Sequence, residues 1–207
     1  MNYATLAFSD ASKLLQTEVG SRHNYERVEK NNVVDGLSEN EIRFIEMQDH
    51  FYMATIGENG FPYIQHRGGP IGFVKMIDDK TLAFVDFTGN KQYISVGNIE
   101  TNPNVALIMI SYPHKARLKM YAKAKIIAIT DDGELFKQLD PADYKHRPER
   151  MIVLESQAYD WNCPQHIKPR YTTEEIEAAF LPQKKYVAGL EAENERLKAE
   201  IESLKNK

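Results

Sequence analysis

The chain has 207 residues, with 26 Lys plus Arg against 30 Asp plus Glu, a formal net charge of −4 and 42% hydrophobic content, the make-up of an ordinary globular chain. A pI near 5.9 without a long basic block leaves no electrostatic footprint for nucleic acid, and no apolar run approaches the ~18–20 residues of a membrane-spanning helix. The first ten residues lack the basic and apolar regions of a secretory signal, and the single cysteine, Cys163, excludes an intrachain disulfide framework and a multi-thiolate metal site. A reducing cytoplasm is the expected compartment.

In chain order, Ser9 caps a predicted helix reaching about Val19, with Leu14, Leu15 and Val19 on its inner face and Gly20 as its stop. A polar stretch from Ser21 to Gly36 completes an N-terminal arm over residues 1–37. Ser38 and Glu41 form an S-x-x-E capping box before Ile42, Phe44, Ile45 and Met47, which predicts a helix from Glu39 to about Asp49.

The segment Phe51 to Ile56 reads as a strand, and Asn59-Gly60 offers the positive φ angles of a hairpin turn before Phe61 to His66 returns. Arg67-Gly68-Gly69-Pro70 is expected to interrupt the sheet, with strands resuming at Ile71 to Ile77 and Thr81 to Phe87. From Asn90 to Asn102 the spacing of Tyr93, Ile94, Val96 and Ile99 turns helical, and Asn102-Pro103 closes it. Further strands are predicted over Val105–Tyr112, Leu118–Thr130 and Met151–Tyr159, with a short helix at Asp131–Leu139. Six or more antiparallel strands with one inserted helix make a mainly β domain over residues 38–160, a small closed or split barrel. A connector over 161–182 leads to the tail.

The tail, 183–207, obeys different rules. Leu190, Leu197 and Leu204 fill d positions, and Val187, Asn194 and Ile201 fill a positions, of nearly three heptads. Glu193 and Glu200 at g would face Lys198 and Lys205 at the following e positions of a parallel, in-register partner. Asn194 at a single a position is the mark of a two-stranded coil. The competing reading is an amphipathic helix packed back on its own domain, which needs only the apolar stripe.

Four places carry chemistry. Gln65-His66-Arg67-Gly68-Gly69-Pro70 ends a strand with polar side chains and then glycines, and an arginine fork there suits a phosphate or a polar ring edge. Asp86-Phe87-Thr88-Gly89-Asn90-Lys91-Gln92 passes from a strand to a helix start, where backbone N–H groups with Asn90 and Lys91 make an anion site. Lys115-Ala116-Arg117-Leu118-Lys119 is a basic strand start. Trp161-Asn162-Cys163-Pro164-Gln165-His166 combines the lone Trp, the lone Cys and a His. Each has a plain structural explanation when taken singly; a strand-end turn, an Asn helix cap, a solvated strand edge and a small buried thiol would account for them.

Their order is more informative. Tyr52-Met53-Ala54-Thr55-Ile56, then Gly60 to Pro70, then Leu82 to Asp86 with Gly89-Asn90-Lys91-Gln92, then Asn98 to Pro103, and finally Asn162-Cys163-Pro164-Gln165-His166, resemble the flavin-binding split-barrel superfamily related to pyridoxine 5′-phosphate oxidase. That resemblance implies a homodimer of split barrels holding FMN in two grooves at the subunit interface. It assigns the phosphate to Asn90 and Lys91, with Gln92 standing where the family often has a second cation. Gln65, His66, Arg67 and Gly68 run beside the flavin, Asp86 and Phe87 fall beside the ring or ribityl chain, and Arg117 reaches over from a neighbouring strand across the dimer. Cys163, Pro164 and Gln165 approach the flavin face. The arginine-histidine signature by which pyridoxine-phosphate oxidases grip the vitamin phosphate is not evident, so vitamin B6 synthesis is not expected. The resemblance implies an FMN-dependent oxidoreductase acting on a small molecule, with catalytic residues and substrate unassigned. The alternatives are a flavin-binding store or sensor without turnover, and a haem or deazaflavin binder for which His66 or His166 would be the haem ligand.

Overall fold

The structure is a computed structural model that describes residues 2–31 and 35–206. Residues 32–34 of the polar stretch and Lys207 of the tail lie outside the described residues. The N-terminal arm forms α1 (Tyr3–Ala7), α2 (Asp10–Glu18) and α3 (Arg22–Asn31). Ser9 caps α2 as expected, its hydroxyl accepting from the Ser12 N–H at 3.2 Å. The predicted inner face is not one: Leu14, Leu15 and Val19 are 62%, 61% and 77% exposed. Most of the polar stretch is helical because Glu29 pairs with Arg22 and Lys13, and Arg22 also pairs with Glu26. A helix polar on all sides leaves no apolar period to read.

The capping box is present at the start of α4 (Glu39–Glu46), which ends at Glu46 with Met47 as its C-cap, short of the predicted stop near Asp49, and buries Phe44 and Ile45. Seven strands follow: β1 (His50–Ile56), β2 (Pro62–Gly68), β3 (Lys75–Met76), β4 (Thr81–Phe87), β5 (Asn104–Ser111), β6 (Ala116–Ile127) and β7 (Pro148–Asn162). Helix α5 (Ile94–Thr101) joins β4 to β5, and α6 (Gly133–Leu139) joins β6 to β7. All neighbours pair antiparallel in the order β2-β1-β5-β6-β7-β4-β3.

Three local readings need correction. In the β1–β2 hairpin only Gly60 takes a positive φ, 78°, while the Asn59 side chain accepts from the Phe61 N–H at 3.0 Å. Strand β2 continues through Arg67 to Gly68 instead of breaking at Arg67. The strand expected over Ile71–Ile77 shrinks to β3, because a turn closed by the Phe73 N–H on the Pro70 carbonyl, 3.0 Å, drops Phe73 and Val74 into the core. Gly69 is required by that turn: a Cβ there would come within 2.6 Å of the Phe73 ring.

The core joins Phe51 and Met53 of β1, Leu82 and Phe84 of β4, Leu107 and Met109 of β5, Leu118 and Met120 of β6, and Ile152 and Leu154 of β7. Helix α4 adds Phe44 and Ile45, and α5 adds Ile99. A smaller cluster of Ala83, Val85, Met151 and Leu139 packs α6 on the other face of β4 and β7. The sheet is open, with β2 and β3 at its edges, yet it curls far enough for Arg67 of β2 to pair with Asp86 of β4 across four intervening strands. An open sheet curled around one core is a split barrel.

Two compact units divide the chain: one up to Ser111 together with Lys115–Ile167, the other Tyr112–His114 with Lys168 onward. In the second, the Arg170 guanidinium lies 4.7 Å from the centre of the Tyr112 ring, tying its two pieces together. Its helix α7 (Thr173–Lys205) begins ten residues before the predicted tail helix and carries Pro182 within it. Thr172 and Glu175 cap it reciprocally, at 3.1 and 2.8 Å. No residue of α7 is buried, and the heptad seam extends back to Phe180 at an a position and Ile176 at a d position.

Candidate functional site

Alternation along β2 decides which polar side chains meet. Tyr63, Gln65 and Arg67 project to one face, and Ile64, His66 and Gly68 to the other. The first face borders a groove, open to solvent, whose other wall is Asp86 and Phe87 of β4, the loop Gly89 to Tyr93, the start of α5 and Glu149 of β7. Seven predicted residues therefore come together: Gln65, Arg67, Asp86, Phe87, Asn90, Lys91 and Gln92.

The groove floor is an ionic ladder. Arg67 Nη1 donates to Asp86 Oδ1, Arg150 Nε lies 3.7 Å from Asp86 Oδ2, and Arg150 Nη2 lies 2.7 Å from Glu149 Oε1. Burial pushes the Asp86 carboxyl above its ordinary range and the Arg67 guanidinium below its own, and their mutual attraction opposes both shifts. With both oxygens facing guanidinium groups, Asp86 serves Arg67 rather than a ligand directly. The Nε–H of Arg67 is buried and has no partner among the described residues.

The loop above the ladder differs from the predicted helix start. Helix α5 begins at Ile94, four residues later than the predicted Asn90, because Lys91 and Tyr93 adopt left-handed backbone, φ 61° and 55°. The Asn90 side chain accepts from the Gln92 N–H at 3.2 Å, which turns the chain. Among the described residues Lys91 has no ionic partner, so its ammonium is available to an anion. Ser95, buried at the start of α5, donates to Gln65 Oε1 at 2.7 Å and fixes that amide from below. Tyr93, Ser95, Glu149 and Arg150 escaped the sequence reading; they gain meaning only through contacts with residues far along the chain, Tyr93 with Glu149 and Arg150 with Asp86 among them.

The other predicted residues lie elsewhere. His66 is on the outer face of β2, stacked on His50 with ring centres 5.4 Å apart. A Cβ at Gly68 would meet the His66 ring at 3.0 Å, so this glycine serves packing on that face. Arg117 Nη2 donates to the Cys163 carbonyl at 3.2 Å, which gathers Arg117, Cys163, Pro164 and Gln165 at the β6–β7 end, outside the residues lining the groove. Arg117, like Arg67, keeps a buried Nε–H that has no partner among the described residues. Cys163 is exposed. His166 does not line the groove either.

Comparison with known proteins follows the same lines. No curated protein matches the chain. Among solved structures, a putative pyridoxamine 5′-phosphate oxidase from Lactobacillus delbrueckii is 20% identical, covers 62% of this chain and 97% of its own, and gives a TM-score of 0.48. HupZ from Group A Streptococcus is 15% identical over 65% of this chain and all of its own, with a TM-score of 0.49. An FMN-binding protein from Syntrophomonas wolfei is 13% identical over 71% and 97%, with a TM-score of 0.43. The sequence model of the family described as Pyridoxamine 5′-phosphate oxidase matches residues 37–159, from the approach to α4 through most of β7, which is more than half of the chain. The chain belongs to the pyridoxamine 5′-phosphate oxidase family.

Proposed function

We propose that the chain binds FMN in the groove between β2 and the loop after β4, and that it works as a homodimeric, FMN-dependent oxidoreductase on a small molecule. The observation that carries this reading is the meeting of Gln65 and Arg67 of β2 with Asn90, Lys91 and Gln92 of the loop after β4, two parts of the chain converging on one open groove. Their chemistry fits the cofactor. A phosphate dianion takes the Lys91 ammonium and the N–H groups of the 89–93 loop, while a ring bearing carbonyl and N–H groups takes amide and guanidinium partners. The unpartnered Nε–H of Arg67 is a donor of that kind. Bound FMN would supply hydride- or electron-transfer chemistry, leaving to the protein the tasks of binding, orienting and electronically tuning it.

The second cluster supports a dimer. Arg117 with Cys163, Pro164 and Gln165 would close the partner's groove, its buried Arg117 Nε–H finding an acceptor there. The outer sheet face is suited to pairing: Ile64, Tyr52, Ala54, Ile108 and Ile110 lie together on it in register, with Ile64 66% exposed. The heptad seam of α7 would add a parallel coil, with Asn194 setting its register.

Absorbance of the purified protein, followed by denaturation and identification of the released chromophore, tests the reading. A preparation that is colourless and fails to bind added FMN overturns it, and released haem or deazaflavin replaces it with another cofactor. Bound FMN that no reductant or substrate turns over leaves a store or sensor in place of an enzyme. Lys91→Ala is expected to weaken FMN binding by about tenfold or more, the worth of one charge-assisted phosphate contact, in a fluorescence-quenching titration. For the tail, a chain ending at Leu181 is expected to dissociate at higher concentration than the full chain in sedimentation equilibrium; an unchanged dissociation constant would show that the heptads contribute nothing to self-association.

A further inference from the structure

The clasp beside the 89–93 loop has a role that the family assignment does not supply. Tyr93 immediately precedes α5 and takes a left-handed conformation, φ 55° and ψ 18°, without any side-chain cap for the helix. Such backbone is unfavourable for an aromatic residue and persists only where surrounding contacts hold it. Those contacts come from β7. The Tyr93 hydroxyl donates to Glu149 Oε1 at 2.5 Å, and the Arg150 guanidinium lies 4.8 Å from the centre of the Tyr93 ring while holding the same Glu149 oxygen at 2.7 Å.

Glu149 reaches this position because the β4–β7 ladder is irregular there. Asp86 pairs with Arg150 and Phe87 with Pro148, so Glu149 is an extra residue on β7 with no partner of its own in β4. A bulge of this kind re-aims a side chain that regular pleating would send elsewhere. Arg150, the next residue, also faces Asp86, so the clasp and the Arg67–Asp86 pair share one cation.

We infer that Tyr93, held by Glu149 and Arg150, is a positioning residue that fixes the 89–93 loop in its phosphate-accepting shape, and so sets the preference for a phosphorylated flavin over its unphosphorylated nucleoside. This inference rests on the proposed FMN site. Tyr93 need not touch the ring system; its effect passes first through the Lys91 backbone and the loop N–H groups, and reaches Arg67 only at second hand, through Arg150 and Asp86.

The test titrates wild-type protein and a Tyr93→Phe variant with FMN and with riboflavin, following flavin fluorescence. Tyr93→Phe keeps the ring under Arg150 and removes only the hydroxyl. The expected result is a loss of about tenfold in FMN affinity, the equivalent of one hydrogen bond to a charged group, with riboflavin affinity held within about twofold. Tyr93→Phe binding FMN as tightly as wild type overturns the inference, and so does an equal loss of both flavins, which marks a general structural role. Wild-type protein that binds neither flavin fails the FMN reading itself, a result distinct from both.

Discussion

An Arg67→Met variant is expected to lose about 3 kcal/mol of folding stability at pH 7, the scale on which removal of one partner strands a buried charge. Arg67 and Asp86 have side chains only 11% and 9% exposed, and without Arg67 the nearest cation to the carboxylate is Arg150 at 3.7 Å. Urea unfolding followed through the emission of Trp161, the chain's one tryptophan, reads the loss. Burial already raises the Asp86 pKa, and removing its main counter-charge raises it further. A carboxyl whose folded pKa lies above its unfolded value binds protons more readily when folded, so acid favours the variant's folded state. The deficit against wild type therefore shrinks as the pH falls through the raised folded pKa toward about 4. Adding Asp86→Asn removes the stranded charge and is expected to recover more than half of the lost stability. A double variant no more stable than Arg67→Met would show that Arg67 acts by packing alone. Neither variant is expected to bind FMN, because Asp86→Asn restores the fold without restoring the fork.

What the sequence discloses depends on whether a physical signal is local. Strand β4 is found residue for residue at Thr81–Phe87, and β1 within one residue, because β-branched and aromatic runs bounded by turn residues state their own limits. The capping box at Ser38 is equally local. Period two along β2 also separates Arg67 from His66, once the strand is known to continue to Gly68. The left-handed Lys91 and Tyr93 leave no trace in composition, and they displace the start of α5 by four residues. Helix α3 has no continuous apolar stripe; its Arg22–Glu26 pair has helical spacing, while the Lys13–Glu29 pair that ties it to α2 arises only in the fold. Glu149 and Arg150 belong to the site through a bulge in β7, which no pattern of residues along that strand announces. Arg117 and Cys163 stand in two separate segments of unusual residues, and the hydrogen bond that brings them together, from Arg117 Nη2 to the Cys163 carbonyl, is not a local signal.

The same division explains how the fold carries its site. The β2 and β4 sides of the groove are strands whose backbone is fixed by the sheet, while residues 89–93 are held by the Asn90 side chain within the loop, by the Tyr93 side chain on β7 and by the Tyr93 carbonyl, which accepts from the Gly97 N–H at 2.8 Å. A rigid frame with a side-chain-held loop places the precise part of the site on β2 and β4 and the adjustable part where a phosphate would arrive.

A Glu41→Gln variant is expected to be about 2–3 kcal/mol less stable than wild type at pH 7, on the scale of hydrogen bonds to a charged acceptor. Glu41 is 5% exposed and accepts four hydrogen bonds: from the Ser38 N–H at 3.0 Å and hydroxyl at 2.5 Å, from the Tyr159 hydroxyl at 3.0 Å and from the Trp161 indole N–H at 2.6 Å. It thereby joins the start of α4 to the far end of β7, with Phe44 edge-on to Trp161 at 4.8 Å. Burial works against its charge, yet the donors from Ser38, Trp161 and Tyr159 together outweigh burial and hold the carboxyl below its ordinary range. An amide presents one acceptor oxygen and a donor NH₂ group to a site built entirely of donors, so with the oxygen kept toward Ser38 and Tyr159 the Trp161 bond is lost and its N–H faces the NH₂ group. The sign with pH follows from the lowered pKa. The stabilisation is complete above the unfolded value of about 4.3 and is lost as the pH falls through the lower folded value. The gap between Glu41→Gln and wild type should accordingly be widest near neutrality and close in acid, the wild type losing stability while the variant has no charge there to lose. Paired urea titrations at pH 7 and pH 3.5, read through Trp161, measure it. A gap unchanged by acid would assign the role of Glu41 to shape rather than charge, and would leave the capping of α4 as its whole contribution.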